Sequence, residues 1–240
     1  MGGAVRFLTI LPVRGEHRPP TAAGLMAFPL VGALIGLVWT SVGATDRLFP
    51  NTFLVAALIL VADAVVTGAL HLDGLADALD GLASRRPAEE AVAIMRQGPV
   101  GAVGALGLVL VCLVRLGALV GLLGFPQVPW SLVLPPAAGR AAMVLLMALV
   151  PARTDGSLAS ALARPNGNVV VAVSVLAGMI AGVIDVRCLV LLAVGFGVVV
   201  AFGAGWRHRF GDLSGDGVGA CGLLVETVVL LGLAVLGIIA

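Results

Sequence analysis

Oily runs close to membrane length organise this chain. Seven stand out, at roughly 26–44, 52–72, 100–123, 132–150, 168–184, 188–206 and 222–240. About 20 apolar residues wound as a helix cross the hydrocarbon core of a bilayer. A segment in lipid must satisfy its own backbone polar groups, which leaves helices for runs of this kind. The expected fold class is all-α: a polytopic integral membrane helix bundle of about seven transmembrane helices, forming a single domain over 1–240. Composition agrees, with 60% hydrophobic residues, 11% charged and a mean hydropathy of +1.14. A soluble domain holds about 45–50% apolar and about 25% charged residues.

Proline and glycine clusters separate most of the runs: "FPNT", "GFPQVPW" and "ARPNGN". Only "IDVRC" divides the fifth from the sixth, which makes them a tight hairpin or one run wrongly divided. Gly32-x-x-x-Gly36 is a small-residue pattern that packs helices within a chain or between chains. The opening "MGGAVRFLTILPVRG" has one short apolar core, an early Arg and a Pro, without a small-x-small cleavage site. It is expected to be an interfacial amphipathic segment rather than a signal peptide. Cys112, Cys188 and Cys221 lack metal or redox spacing and read as free thiols.

All 14 cationic residues are Arg, and their distribution orients the bundle. With the N-terminus in the cytoplasm, the inner segments hold Arg6, Arg14, Arg18, Arg85, Arg86, Arg96, Arg153, Arg164, Arg207 and Arg209. The outer segments hold Arg47 and Arg187, a ratio of ten to two that fits the positive-inside rule with seven spans. The expected location is the bacterial cytoplasmic (inner) membrane, as a multi-pass protein in contact with membrane lipid. A net charge of +1 gives no basic surface of the kind that binds nucleic acid, so no such partner is expected.

Against this oily background, "HLDGLADALDG" (71–81) places Asp73, Asp77 and Asp80 at i, i+4 and i+7. At 100° per residue these fall within about 60° on one helix face. Like charges so placed repel unless they meet water or share a cation. Hard oxygen ligands beside a phosphate suit Mg²⁺, and Gly74 and Gly81 leave room for a ligand to approach the backbone. A solvated cap at a helix end is the plainer alternative, but a cap needs a single Asp.

A second constellation, "RHRFGDLSGDGVGACGLLVE" (207–226), carries Asp212 and Asp216 in an expected loop on the same side, with Glu226 further along the last helix. It reads as the other half of one site, with acids for metal or general base and Arg for phosphate. Arg140, inside the fourth run, and Arg96, before a glycine turn, are candidates to reach a diphosphate; snorkelling is the alternative for Arg96. Arg115 is a weaker candidate for a diphosphate, since a structural pair with Asp63 would also explain both; His71 could be a base or a ligand, but a polar anchor is the favoured reading. There is no Ser-His-Asp order, zinc-type spacing or P-loop pattern. An ion-coupled transporter predicts acids deep in several helices, yet only Asp63 is clearly mid-span.

At these residues the chain resembles the cobalamin synthase family, the adenosylcobinamide-GDP ribazoletransferases of cobamide assembly. The similar stretches are "RFLTILPV" (6–13), "FPLVGALIG" (28–36), "HLDGLADALDG" (71–81), "IMRQGPVGAVGALGLVL" (94–110), "GRAAMVLLMALVPAR" (139–153) and "SGDGVGACGLLVE" (214–226). Two positions depart from the family pattern. Ser214 stands where Thr is typical and keeps a hydroxyl, and Gln97 stands where an Asp is common. The resemblance implies a Mg²⁺-dependent transferase that joins adenosylcobinamide-GDP to α-ribazole, or its 5′-phosphate, and releases GMP. On that reaction, Asp73, Asp77 and Asp80 are expected to hold one or two Mg²⁺ ions on the diphosphate, with Arg96 and Arg140 as candidates to steady the phosphates. Asp216 would complete the metal site or accept the proton of the ribazole 3′-hydroxyl. Glu226 would orient Asp216 or bind the benzimidazole-like base. The motif also resembles that of CDP-alcohol phosphotransferases, but Asp77 stands where their Arg belongs.

Overall fold

The computed structural model describes residues 2–14, 19–49, 51–124, 130–153 and 164–238. Arg18 and the last two residues of the seventh run lie outside them. The helices are α1 (Gly2–Leu8), α2 (Ala22–Leu25), α3 (Phe28–Gly43), α4 (Thr52–Thr67), α5 (Leu70–Ala83), α6 (Ala88–Met95), α7 (Ala102–Leu123), α8 (Leu134–Leu149), α9 (Gly167–Ile184), α10 (Cys188–Phe210) and α11 (Gly215–Leu236). Short 3₁₀ turns at Ala44–Arg47 and Trp130–Val133 extend α3 and lead into α8. Among the described residues the strand-like element is a lone parallel bridge between Ala152 and Leu213.

Among the described residues six helical segments are long and apolar enough to cross a membrane: α3 with its flanking turns, α7, α8 with its 3₁₀ lead-in, α9, α10 and α11. Helix α4 runs between the same two ends of the bundle. Near its start Ile59 packs by Gly43 at the end of α3. At its finish the Val66 carbonyl accepts the Ile10 N–H at 2.9 Å. Counting α4 and α5 as one bent span gives up to seven passes among the described residues, as in a polytopic helical membrane protein.

The expected run 52–72 is too long, and the structure corrects it. Helix α4 stops at Thr67, and α5 leaves it at 90°. Gly68 (φ 62°) and Ala69 (φ 56°) both adopt the left-handed conformation, and two such residues in succession turn the chain. For Gly68 this costs nothing steric; for Ala69 it costs about 1–2 kcal/mol. Hydropathy counted Leu70 and Leu72 into the run but is blind to a turn. Helix α5 therefore leaves the line of α4 and is not among those six segments.

Several contacts join segments apart in sequence. Phe7 stacks on Phe28 at 6.0 Å, Arg153 Nη2 meets Glu89 at 2.7 Å, and Arg209 Nη2 donates to the Arg86 carbonyl at 2.7 Å. Arg47 closes the 3₁₀ turn after α3, and Arg187 lies in the turn between α9 and α10.

Two further boundaries differ from expectation or resolve it. Asp185 carboxylate accepts the Arg187 N–H at 2.7 Å in a tight turn, so the fifth and sixth runs are separate helices, α9 and α10. The last helix begins at Gly215 rather than near 222, because Ser214 caps it through the Gly217 N–H at 3.2 Å. Asp216 is thus helical, not a loop residue. The three cysteines are free.

Helices α3, α8 and α11 form the packed centre, while α7, α9 and α10 turn apolar residues such as Leu106, Leu110, Met179 and Val190 outward. Glycine sets the central spacing. Gly32 rests on the backbone of Pro136 and Ala137, and a Cβ on Gly36 would stand 2.5 Å from Val133 Cα. The Gly32-x-x-x-Gly36 pattern therefore packs helices within this chain. We expect Gly36→Ala to force α3 off the α8 lead-in and to lower unfolding stability in detergent by about 1–3 kcal/mol. An unchanged denaturation midpoint would contradict that packing.

Candidate active site

The acidic face of α5 meets the first turn of α11. Gly74 allows the approach, since a Cβ there would lie 3.1 Å from the Asp216 carbonyl oxygen. The contact brings carboxylates distant in sequence to one place. A pocket of about 200 Å³ opens beside them. His71, Asp73, Arg96, Ser214 and Asp216 form its polar wall, and Phe7, Leu70, Met143 and Val218 its apolar one.

Asp73 is exposed, whereas Asp77 and Asp216 are half-buried. Burial first, and then the carboxylates of Asp73, Asp216 and Asp80, push the Asp77 carboxyl up to about 6. Arg96 also acts electrostatically on Asp216. The Ser214 hydroxyl donates to Asp216 Oδ2 at 3.3 Å, and Asp216 lines the pocket.

The structure gives Asp80 a different task from the metal ligation expected of it. Its Oδ2 accepts the Gly101 N–H at 2.7 Å, and its Oδ1 accepts the Gly104 N–H at 2.8 Å. Helix α7 begins at Ala102 with Gly101 as its cap, and Gly101 has no side chain to offer its own first turn. Asp80 supplies that cap from 21 residues away. A negative charge also suits the positive end of the helix dipole. Gly101 and Gly104 are needed here because a Cβ on either would strike the Asp80 carboxylate. The motif "GPVGAVG" held this signal, but its partner is not legible from spacing.

Arg140 and Glu226 lie beneath the pocket rather than in its wall. Both are 1% exposed. Glu226 bridges two guanidiniums: Oε1 accepts from Arg115 Nη2 at 2.7 Å, and Oε2 pairs with Arg140 Nη1. Arg115 Nη2 also reaches Asp63 Oδ2 at 3.0 Å, the pairing the sequence suggested. Asp63 Oδ1 accepts from Trp39 Nε1 at 3.2 Å, and the Arg115 guanidinium lies 5.2 Å from the Trp39 ring centre. Two cations thus face two anions in the apolar centre, where an unpaired charge would be costly. Glu226 does not contact Asp216, one of the tasks expected of it. The network reaches the pocket through His71, whose Nδ1 lies 3.3 Å from Arg140 Nη2.

The expected acids therefore divide three ways. Asp73, Asp77 and Asp216 form a coupled cluster, Asp80 is a helix cap, and Glu226 belongs to a buried ion network. Asp212 is exposed, and its carbonyl accepts from Trp206 Nε1 at 3.2 Å. Phe7, Met143 and Val218 escaped sequence reasoning because an apolar residue of an apolar chain carries no local mark.

Among the described residues no three His, Cys, Asp or Glu side chains alone form a metal-holding group. Mg²⁺ does not need one, since it keeps waters and takes one or two carboxylates plus substrate phosphates. The oxygen-only donors fit such an ion, as does Asp77, whose carboxyl is raised by burial first and then by the neighbouring carboxylates.

Comparison with known proteins extends the geometry. The model of a family described as cobalamin-5-phosphate synthase matches residues 1–234. An adenosylcobinamide-GDP ribazoletransferase of Pseudomonas fluorescens is 38% identical over 244 residues, covering 96% of this chain and 97% of its own. Proteins of the same name from Roseiflexus sp. and Chlorobaculum tepidum are 34% and 35% identical, covering 96% and 94% of this chain and 87% and 91% of theirs. No solved structure matches the chain significantly.

The cap on α7 is open to test. Asp80→Ala strands two backbone donors and should lower stability by about 0.5–2 kcal/mol, as loss of a helix cap does. Asp80→Asn keeps one acceptor and should lose less. Equal, negligible losses in chemical denaturation would remove the capping role.

Proposed function

This chain belongs to the cobalamin-5-phosphate synthase family, and we propose that the pocket between α5 and α11 is where it joins adenosylcobinamide-GDP to α-ribazole or its 5′-phosphate. The observation that carries this reading is the meeting of Asp73, Asp77 and Asp216 with Arg96 around one half-apolar pocket. Diphosphate and sugar hydroxyl need the polar wall, and the corrinoid or a planar base suits the apolar one. The arginine bias supports a bacterial inner membrane with the pocket facing the cytoplasm, where nucleotide-activated substrates are made.

Asp73 and Asp77 are the residues that would hold Mg²⁺, which supplies charge neutralisation at the diphosphate. Arg96, in the same polar wall, binds phosphate oxygens. Asp216 Oδ1 accepts the proton of the ribazole 3′-hydroxyl as its oxygen bonds to the corrinoid-side phosphorus. The bond from that phosphorus to the bridging oxygen breaks, and GMP leaves. Ser214 holds Asp216 Oδ2, so the accepting oxygen keeps its direction. A CDP-alcohol-type reaction and ion-coupled transport gain no support from this arrangement.

Purified, lipid-reconstituted protein incubated with adenosylcobinamide-GDP, α-ribazole and Mg²⁺ should yield the joined corrinoid and one GMP per turnover. Asp77→Ala should lower turnover by at least about 100-fold, the scale of losing one charge-stabilising group. Activity within severalfold of the parent would count against metal catalysis here. Omission of divalent cation should abolish product. Because Asp77 holds its proton up to about 6, a cation must displace that proton at lower pH. Apparent Mg²⁺ affinity should therefore weaken as pH falls through about 6, by up to about tenfold per unit for one competing proton.

A further inference from the structure

One end of the buried ion network reaches the pocket. His71 is 5% exposed and lines the pocket. Its Nδ1 faces Arg140 Nη2 at 3.3 Å. A guanidinium can only donate, so Nδ1 must accept. The imidazole is then neutral and carries its proton on Nε2. Among the described residues no group bonds that Nε2. Its neighbour on the ring, Cδ2, packs beside Gly219, another residue of the pocket wall.

Arg140 is in turn held by Glu226, Glu226 by Arg115, and Arg115 by Asp63. Each link fixes the next. Arg140 sits on α8 and Glu226 on α11, so the orientation of His71 is set by helices that span the bundle rather than by its own short helix. A single hydrogen-bond acceptor would satisfy His71 equally well. A guanidinium is different because it excludes the other tautomer.

We propose that His71 is a substrate-contacting residue whose Nε2–H donates a hydrogen bond to a phosphate oxygen of the bound diphosphate, and that Arg140 and Glu226 are positioning residues that hold it in this tautomer. The inference rests on the ribazoletransferase reading of the pocket and adds a neutral donor to it. A neutral donor beside Asp73 and Asp216 suits a site that must first admit and then release an anionic nucleotide. It contributes at the charge-bearing oxygens without binding GMP as tightly as a third cation would.

The tautomer is measured on the parent protein itself. With ¹⁵N-histidine labelling in nanodiscs, the His71 Nδ1 resonance should be that of an unprotonated nitrogen and Nε2 that of a protonated one. An Nδ1–H tautomer or an imidazolium at neutral pH would overturn the proposal. Turnover supplies the second readout. His71→Leu should lower kcat by about 100-fold, with KM for both substrates within about threefold. His71→Gln, which presents an amide N–H at similar reach, should recover at least about a tenth of the parent's rate. Glu226→Gln should lower kcat and shift the His71 ¹⁵N signals toward mixed tautomers, which a purely structural role would not do. His71→Leu within about threefold of the parent kcat, or a Glu226→Gln spectrum identical to the parent's, would overturn it. Failure of the parent to release GMP from adenosylcobinamide-GDP would instead fail the underlying reading, and the tautomer result would stand apart from it.

Discussion

The bundle is built around two guanidiniums and two carboxylates that have no water to retreat to. Asp63, Arg115, Arg140 and Glu226 come from α4, α7, α8 and α11, and Trp39 of α3 closes the set. In an apolar interior each of these charges alone would cost several kcal/mol, so each helix is acceptable only when its partners are in place. This makes the network a register device. Packing among Leu, Val and Ala tolerates sliding, whereas an ion pair with Arg115 Nη2 at 2.7 Å from Glu226 does not. Five helices are thereby fixed at one depth.

That depth matters because it is directly below the pocket. The network spends its polarity underneath, and the acids above it are left with far less compensation. Asp73, Asp77 and Asp216 gather on the same end with Arg96 nearby, and Asp77 shows the consequence in its raised carboxyl. The molecule thus separates two kinds of charge cluster. One is balanced, dry and structural, and the other is acidic, open and available to a ligand. His71 is the side chain that touches both.

Glycine provides the geometry that makes the separation possible. Gly68 with Ala69 turns α5 by 90° from α4. Gly74 lets α5 press on α11, and Gly101 with Gly104 lets Asp80 reach the start of α7. The high glycine content of the chain, 33 residues, is therefore put to use at helix contacts as well as at turns.

Much was legible from the residues alone. The seven apolar runs announced a membrane bundle because hydropathy over about 20 residues is a local property. The motifs of 71–81 and 214–226 announced a cluster of acids, since clustered charge in an oily chain is conspicuous wherever it folds. Even the pairing of Arg115 with Asp63 followed, because an intramembrane cation needs an anion. What only the tertiary structure decided was which acid does what. Asp73, Asp77 and Asp80 share one helical stripe, yet Asp80 is diverted to the backbone of α7 and its place in the cluster passes to Asp216. Glu226 and Arg140 look like site residues in sequence and prove to be buried partners of each other. The physical reason is the same in each case. Spacing along one helix fixes which side chains share a face, but the partner that claims each carboxylate comes from another helix, and that distance exists only once the bundle has closed.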